Sequence, residues 1–300
     1  MPYRRSLLPY PPYVAHRPSR VGRAVACAGV LAASAALILS AGAFDPAAAA
    51  SARPDAATVD FLARAHPQGK ARVTAAVLDL DTASARPAVY GDDVLFDTAS
   101  IVKVDILATA LLQAQDAGHG LTAKERAQAE VMIEHSDNDA ANALWRRIGL
   151  APGLEAANKR LGLTSTKGGP GGKWGLTRTT AGDQIRLLRA VFGTGSAASP
   201  TGSTVLNEAS RTYIRTLMSR IAGEQSWGVS AAAGSGWALK NGWLQRNTTG
   251  LWDVNSVGRI TAGGHHYLVA VLTDGSPTMK DGVSLVERAA RAAVTNAAAR

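Results

Sequence analysis

Ser100 and Lys103 are the first residues in this chain whose types and spacing could support a reaction. They begin an apolar stretch, residues 100–115, that predicts a helix buried on nearly all sides, and the i, i+3 spacing places both side chains on one helical face. Burial lowers the pKa of a lysine, so Lys103 could accept the serine proton. The free N–H of Ser100 could stabilise the oxygen of an attacked carbonyl. Alone, the pattern also fits a helix-capping serine followed by a surface lysine.

A second polar cluster, Ser136-Asp137-Asn138, separates two predicted helices, 122–135 and 139–148. All three residue types cap helices well, so a capping turn is the favoured interpretation of this tripeptide alone. In an active site, the Ser136 hydroxyl would relay a proton to a leaving group and the Asn138 amide would bind a substrate amide. Asp137 would then hold the turn.

A third cluster, Lys240-Asn241-Gly242, lies within a predicted strand, residues 237–243. Glycine inside a strand often marks a place where a ligand or another backbone approaches closely. Lys240 would supply positive charge for a substrate carboxylate. Taken alone, the tripeptide is better explained as an edge-strand lysine followed by a turn.

Together, the three clusters resemble the S-x-x-K, S-D-N and K-T-G signature of class A β-lactamases and penicillin-binding proteins. The resemblance covers nearly the whole chain after residue 50. It implies an α+β fold: a three-layer α/β/α sandwich whose antiparallel sheet of about five strands is built from both termini, with an all-helical subdomain between them.

The resemblance also assigns roles to individual residues. Ser100 would be the acylated nucleophile, Lys103 its base, and Ser136 with Lys240 the proton relay. The oxyanion would lie between the N–H groups of Ser100 and Trp243. Four residues are expected to contact the substrate: Asn138, Asn241, Gly242 and Trp243.

The sequence departs from that family at two important places. Class A β-lactamases carry a glutamate between the second and third motifs, and it activates the water that releases the acyl-enzyme. Residues 156–207 contain no glutamate; the matching region is a glycine-rich loop, 167–176, and the only acid, Asp183, falls on the following helix. Without a positioned base, release should be slow. Asn241 replaces the usual Thr or Ser, although an amide can still donate to a carboxylate.

The remaining patterns predict strands at both ends of the domain and helices between them. Predicted strands cover residues 73–81, 87–90, 94–96, 236–243, 251–260 and 266–272. Further helices are predicted after a Thr180 N-cap and over residues 208–221 and 284–298.

The first fifty residues have the composition of an export signal. Five arginines precede an apolar run, residues 24–43, and the stretch ends in alanines, so we predict a signal peptide over 1–50 that is cleaved after Ala50. A linker, 51–57, and one hydrolase domain, 58–300, would follow. Cys27 is the only cysteine and opens the apolar run, a position that does not suit lipid attachment. The alternative is an uncleaved membrane anchor.

The charge and the motifs of the sequence limit the kinds of partner and cofactor that we expect. The formal net charge of +9 comes without a basic run or a basic-aromatic stripe, so no nucleic-acid partner is expected. No G-x-S-x-G or H-E-x-x-H pattern occurs, and His265-His266 is expected to be solvated, so no metal or cofactor is expected. We expect a secreted monomer without a stable membrane partner once the leader is cleaved.

Two functions follow from the sequence. The first is an exported serine hydrolase that acts through an acyl-enzyme at Ser100 on β-lactams or on peptide amides of the D-Ala-D-Ala type from peptidoglycan. The second is a slow or inactive relative that binds cell-wall fragments without turnover. The missing glutamate and Asn241 motivate this alternative.

Overall fold

Five strands, contributed by the N-terminal and C-terminal parts of the domain, form one antiparallel sheet. The computed structural model describes residues 55–82, 86–193 and 205–299; the predicted signal peptide, 1–50, lies outside them. In the order β2-β1-β7-β6-β5, every neighbouring pair is antiparallel. The strands are β1 (Arg72–Asp79), β2 (Ala88–Tyr90), β5 (Ser235–Gln245), β6 (Trp252–Ala262) and β7 (His265–Ser276). Two short strands, β3 (Phe96–Asp97) and β4 (Arg178–Thr179), pair separately.

Helices cover both faces of the sheet. Along β1, Ala76 and Leu78 belong to one hydrophobic cluster, whereas Ala75 and Val77 belong to another. Successive side chains of a strand point to opposite faces, so each cluster lies on its own side of the sheet. The three-layer α/β/α fold predicted from the sequence is therefore confirmed.

Two terminal helices form the first helical layer, α1 (Ala56–Ala65) and α8 (Met279–Ala298). Asp55 caps α1 by accepting a hydrogen bond from the Thr58 nitrogen at 2.7 Å. That helix takes up the last two residues of the predicted linker. Helix α8 begins five residues before the predicted Ser284, because Thr278 caps it.

The second layer is built around a central helix, α2 (Val102–Asp116), in which twelve of fifteen residues are buried. This confirms the buried helix that the apolar stretch predicts. The helices around it are α3 (Ala123–Glu134), α4 (Asn138–Arg147), α5 (Leu150–Leu161), α6 (Ala181–Phe192) and α7 (Glu208–Met218). Thr180 caps α6 as predicted.

Helix α5 has no counterpart among the predicted elements, because Pro152 and Gly153 interrupt the pattern at its start. Both are tolerated there: proline suits the first turn of a helix, and Gly153 packs against the end of α4. A Cβ on Gly153 would lie 1.7 Å from the carbonyl oxygen of Ile148. Among the helices of the described ranges, none has the length and apolarity needed to cross a bilayer.

Candidate active site

The predicted nucleophile lies on a tight turn at the entrance of α2. Ala99–Ile101 form a single 3-10 turn, and Ala99 adopts a left-handed φ of 47°. An alanine in that conformation stores backbone strain, which is common where a functional group must be aimed. The turn is tied to the neighbouring loop, since the Thr98 nitrogen donates to the Thr177 carbonyl at 2.8 Å.

A buried asparagine on β6 anchors this turn. The Asn255 amide donates to the carbonyls of Asp97 at 2.9 Å and Thr98 at 3.1 Å, and its oxygen accepts from the Thr273 nitrogen at 3.0 Å. The side chain is fully buried. Asn255 therefore fixes the two residues before Ala99 to the central sheet, a role that sequence reasoning missed because the partners lie 157 and 158 positions away.

Lys103 brings the first two clusters together. Its ammonium is fully buried and donates to the Ser136 carbonyl at 2.7 Å, to the Ser136 hydroxyl at 3.1 Å and to the Asn138 side-chain oxygen at 2.8 Å. Within the described part of the chain, no hydrogen bond joins Lys103 to the hydroxyl of Ser100, which lies three residues earlier in the 3-10 turn that leads into α2. The lysine is thus held by the second cluster rather than by the predicted nucleophile.

The second cluster is a sharp connection between α3 and α4. Ser136 has a left-handed φ of 55°, and the Asp137 carboxylate accepts from the Ala140 nitrogen at 2.7 Å, so Asp137 caps α4 and holds the turn. The Gln225 amide supports the same connection by donating to the His135 carbonyl at 3.1 Å. This constraint fixes the position of the Ser136 hydroxyl.

The third cluster lies on β5, which is an edge strand and so has one side free of strand pairing. Gly242 packs on the nucleophile turn: a Cβ there would lie 2.7 Å from the Ser100 nitrogen. Lys240 is fully buried, and its ammonium donates to the Asn241 carbonyl at 3.1 Å. The fold therefore carries all three clusters to the start of α2.

The side chains of Asn241 and Trp243 both contact the segment of residues 225–227 beside β5. The Asn241 amide donates to the carbonyls of Gln225 at 2.7 Å and Trp227 at 2.9 Å, so both amide hydrogens are engaged within the protein. In this arrangement Asn241 holds residues 225–227 in place. It does not offer a free N–H group to a substrate carboxylate, as the sequence had led us to expect. The Trp243 ring packs on Trp227, with centroids 6.0 Å apart.

Burial dominates the electrostatics of both lysines. It lowers the pKa of Lys103 to about 7, and the negative charge of Asp137 only partly offsets this effect. Burial also lowers the pKa of Lys240 well below its ordinary value, and the positive charge of Lys103 adds to the shift. A lysine with a pKa near 7 can both accept and return a proton at neutral pH.

The glycine-rich loop, residues 167–176, brings an aromatic ring to this site. Trp174 lies over Lys103, with the ammonium 4.7 Å from the ring centroid. Its indole N–H donates to the Asn142 side-chain oxygen at 2.9 Å. Sequence reasoning identified the loop but missed Trp174, because a lone aromatic residue in a glycine-rich segment carries no spacing signal.

One group of side chains outside this site has the composition of a metal site. Potential ligand atoms of Asp79, Asp81 and His265 lie within 4.8 Å of one another. His265 is already paired with Asp79 at 3.0 Å, and the neighbouring His266 with Asp81 at 3.0 Å. These groups are largely exposed and form two hydrogen-bonded pairs that join the β6–β7 hairpin to the end of β1.

Comparison with protein families gives a match to more than half of the chain. Residues 118–297 match the model of the "Beta-lactamase enzyme family". The matched stretch contains the second and third clusters and begins after Ser100 and Lys103.

Curated relatives match over a shorter stretch. "Putative lipoprotein LppW" of Mycobacterium tuberculosis (strain ATCC 25618 / H37Rv) and its namesake in Mycobacterium bovis are each 30% identical over 113 residues. The match covers 38% of this chain and 36% of each relative, so the chain spans about a third of their length.

Solved structures share the fold at low sequence identity. TLA-1 extended-spectrum β-lactamase is 15% identical with a TM-score of 0.67, covering 80% of this chain and 99% of that one. PBP-A is 19% identical with a TM-score of 0.64, covering 81% and 96%. At such identities the likeness concerns the fold alone.

Proposed function

Since this chain belongs to the β-lactamase enzyme family, whose model matches residues 118–297, we propose that it is an exported serine hydrolase that transfers acyl groups through Ser100. One observation carries the proposal: the buried ammonium of Lys103, three residues after Ser100 in the chain, contacts the Ser136 hydroxyl. A nucleophile activated by a neighbouring base is the requirement for covalent acyl transfer. The proposed substrates are β-lactams and D-Ala-D-Ala peptide amides; the first of these is supported by the structurally similar PBP-A, a variant of which forms an acyl-enzyme complex with penicillin G.

Acylation would begin at Ser100. Its oxygen attacks the substrate carbonyl while neutral Lys103 takes the hydroxyl proton. The N–H groups of Ser100 and Trp243 stabilise the oxyanion, a geometry supported by the close packing of Gly242 on the Ser100 nitrogen. Such donors are effective because they are fixed before the reaction.

Collapse of the intermediate would use the second cluster. As the carbonyl carbon–nitrogen bond breaks, the Ser136 hydroxyl gives its proton to the leaving nitrogen and receives one from Lys103, with which it is hydrogen bonded. Asn138 uses its oxygen for Lys103, which leaves its amide nitrogen for a substrate carbonyl. A substrate carboxylate beside Lys240 would favour the charged form of that lysine.

Mass spectrometry of the intact protein during incubation with a penicillin tests this function. We expect the mass to increase by that of one β-lactam, with the adduct on the peptide that contains Ser100. Ser100→Ala should remain unmodified, and Ser230→Ala, which changes a serine outside the three clusters, should be labelled like wild type. A folded wild-type protein that neither gains an adduct nor hydrolyses the penicillin would refute the proposal.

A binding protein for cell-wall fragments is the second candidate. It is favoured by the engagement of both Asn241 amide hydrogens within the protein, which removes one donor expected to face substrate. Turnover of a chromogenic β-lactam and of a D-Ala-D-Ala peptide separates the two functions. If wild type and Ser100→Ala bind the peptide equally and neither turns it over, the binding function is supported.

Export is part of the same proposal. It is supported by the composition of residues 1–50 and by the relatives' names, which describe lipoproteins. We expect secreted protein that begins at Ser51, which N-terminal sequencing would detect. Membrane retention that Cys27→Ala abolishes would instead indicate a lipid anchor.

A further inference from the structure

Trp174 completes the surroundings of the Lys103 ammonium. Three acceptors, two on Ser136 and one on Asn138, lie within 3.1 Å of its nitrogen. The indole face covers another side, with the ring centroid 4.7 Å away. A cation over an aromatic face is attracted to it, and the ring also excludes water from the ammonium. Lys103 is accordingly inaccessible to solvent.

The loop holds this ring in place. Besides the bond from the indole to Asn142, the Gly169 nitrogen donates to the Thr177 hydroxyl at 3.0 Å, and the Trp145 indole donates to the Gly171 carbonyl at 2.7 Å. A Cβ on Gly169 would lie 2.1 Å from the Lys173 carbonyl, so the loop folds tightly on itself. Trp174 is therefore a fixed part of the site.

Between residues 156 and 193 of the described chain, the one carboxylate is engaged away from Lys103. Asp183 is the only acid between residues 156 and 207, and it is fully buried. Its oxygens accept hydrogen bonds from the Ser165 nitrogen at 2.8 Å, the Thr166 hydroxyl at 2.8 Å and Arg186 at 2.6 Å. An indole has only a donor and cannot take a proton from water.

Release of an acyl group by water requires such a proton acceptor. The water oxygen forms a bond to the acyl carbon, the bond from that carbon to the Ser100 oxygen breaks, and the serine recovers a proton. The water proton must move to a base as the new bond forms. Lys103 is the base that already contacts the Ser136 hydroxyl, and Trp174 covers it.

We propose that Trp174 shields Lys103 from the hydrolytic water, so that the Ser100 acyl-enzyme forms readily and is released slowly. This inference rests on the proposed acylation of Ser100. It makes the protein a long-lived covalent acceptor of β-lactams rather than an enzyme that destroys them. Trp174 acts as a positioning residue through Lys103 and takes no part in bond making.

The test compares release rates in Trp174→Ala, Trp174→Phe and wild type. Each protein is acylated with a penicillin, excess drug is removed, and recovery of the free mass is followed by mass spectrometry. We expect the acyl group to be released at least about tenfold faster in Trp174→Ala than in wild type. This is a part of the roughly 10²–10⁴-fold rate increase that a well-placed general base contributes. Trp174→Phe, which keeps a ring over the ammonium, should remain slow. Trp252→Ala, which removes a tryptophan of β6, serves as control and should release at the wild-type rate.

A second readout separates shielding from a structural role. Removing the ring changes both the hydration of Lys103 and the attraction of its cation, so the pH midpoint of acylation should shift in Trp174→Ala, whereas a structural defect would lower the rate at every pH. Asn142→Ala removes only the bond that fixes the indole, and it provides the test if Trp174→Ala does not fold. Asn142→Ala should also release the acyl group faster than wild type does.

The outcomes distinguish the two proposals. If wild type neither acquires an adduct nor hydrolyses the penicillin, acyl transfer at Ser100 and the shielding role both fail. If wild type is acylated but Trp174→Ala and Asn142→Ala release at its rate, only the shielding role is overturned. Rapid release by wild type would also overturn it while leaving acyl transfer intact.

Discussion

Gly242 lies so close to Ser100 that a Cβ on the glycine would be 2.7 Å from the serine nitrogen, and 2.8 Å from the Ile101 nitrogen and the Thr98 carbonyl oxygen. No side chain fits there unless β5 or the nucleophile turn moves. The third cluster therefore requires glycine for a steric reason. The same contact brings the free edge of β5 to the N–H of Ser100.

We expect Gly242→Ala to reduce the acylation rate at least about 100-fold, the loss typical of a displaced oxyanion donor. Gly223→Ala is the matched control, since a Cβ on Gly223 meets no atom within 4 Å. Acylation rates from mass spectrometry and thermal unfolding of both variants provide the comparison. Wild-type acylation by Gly242→Ala would contradict the proposed oxyanion geometry.

The pH dependence of acylation should report the state of Lys103. Burial lowers its pKa to about 7, and only the neutral amine accepts a proton. The rate should therefore rise with pH through about 7 and level off above it. The measurement is the second-order acylation rate between pH 5.5 and 9.

Lys103→Arg should lose this activity, because an arginine does not deprotonate in this range. Lys280→Arg makes the same change at an exposed position and should keep both the rate and the profile. A wild-type rate that is still rising steeply at pH 9 would show that a solvated lysine, or another group, is the base.

The helices and strands of the domain could be predicted in large part because their signals are local, whereas the meeting of the three clusters was implied only by the family resemblance. The apolar run after Ser100 specifies a buried helix, and alternating residues around Lys240 specify a strand. Helix α1 was assigned in part to a linker, since only Phe61 and Ala65 of its ten residues are buried. Helix α5 was obscured by the proline and glycine of its first turn.

What sequence reasoning missed depends on contacts between distant residues. Trp174 lies 71 positions after Lys103 in the sequence. Its ring reaches the Lys103 ammonium only because the glycine-rich loop folds over the start of α2. The role of Asn241 was misjudged because the carbonyls that occupy its amide belong to residues 14 and 16 positions away. Neither contact leaves a periodicity or a motif in the chain.

Asn255 should be needed for both stability and acylation. Asn255→Ala removes two hydrogen bonds to the strand before the nucleophile and leaves the Thr273 nitrogen buried without its side-chain acceptor. We expect a loss of about 2–4 kcal/mol in unfolding free energy, given about 1 kcal/mol for each bond and more for an unsatisfied buried group.

Urea unfolding and the acylation rate measure the two effects. Asn296→Ala is the control, because this half-buried asparagine donates to the Ala57 carbonyl at 3.2 Å and otherwise interacts with the exposed carboxylate of Asp60. It should lose no more than about 1 kcal/mol and keep the wild-type rate. If Asn255→Ala were as stable and as active as this control, the turn would have to be held by other contacts.

A buried acid on α2 should make stability depend on pH. Asp105 is almost fully buried, and only one of its oxygens has a hydrogen-bond partner in the described residues, the Asn158 amide at 3.0 Å. Burial raises the pKa of Asp105 to about 7, and the negative charge of Asp183 adds to the effect. The folded protein therefore holds a proton that the unfolded chain releases near pH 4.

With more protons bound in the folded state, the contribution of this group to stability falls as pH rises from about 4 to about 7, and it is constant above that. Asp105→Asn removes the titration, so we expect the variant to be more stable than wild type at pH 8 by on the order of 2 kcal/mol, with a smaller difference at pH 5. Urea unfolding at pH 5, 6, 7 and 8 measures this. Asp116→Asn, at an exposed acid paired with Arg160, is the control and should show no such gain as pH rises. Parallel stability curves for wild type and Asp105→Asn would mean that Asp105 is ionised in the folded protein across this range.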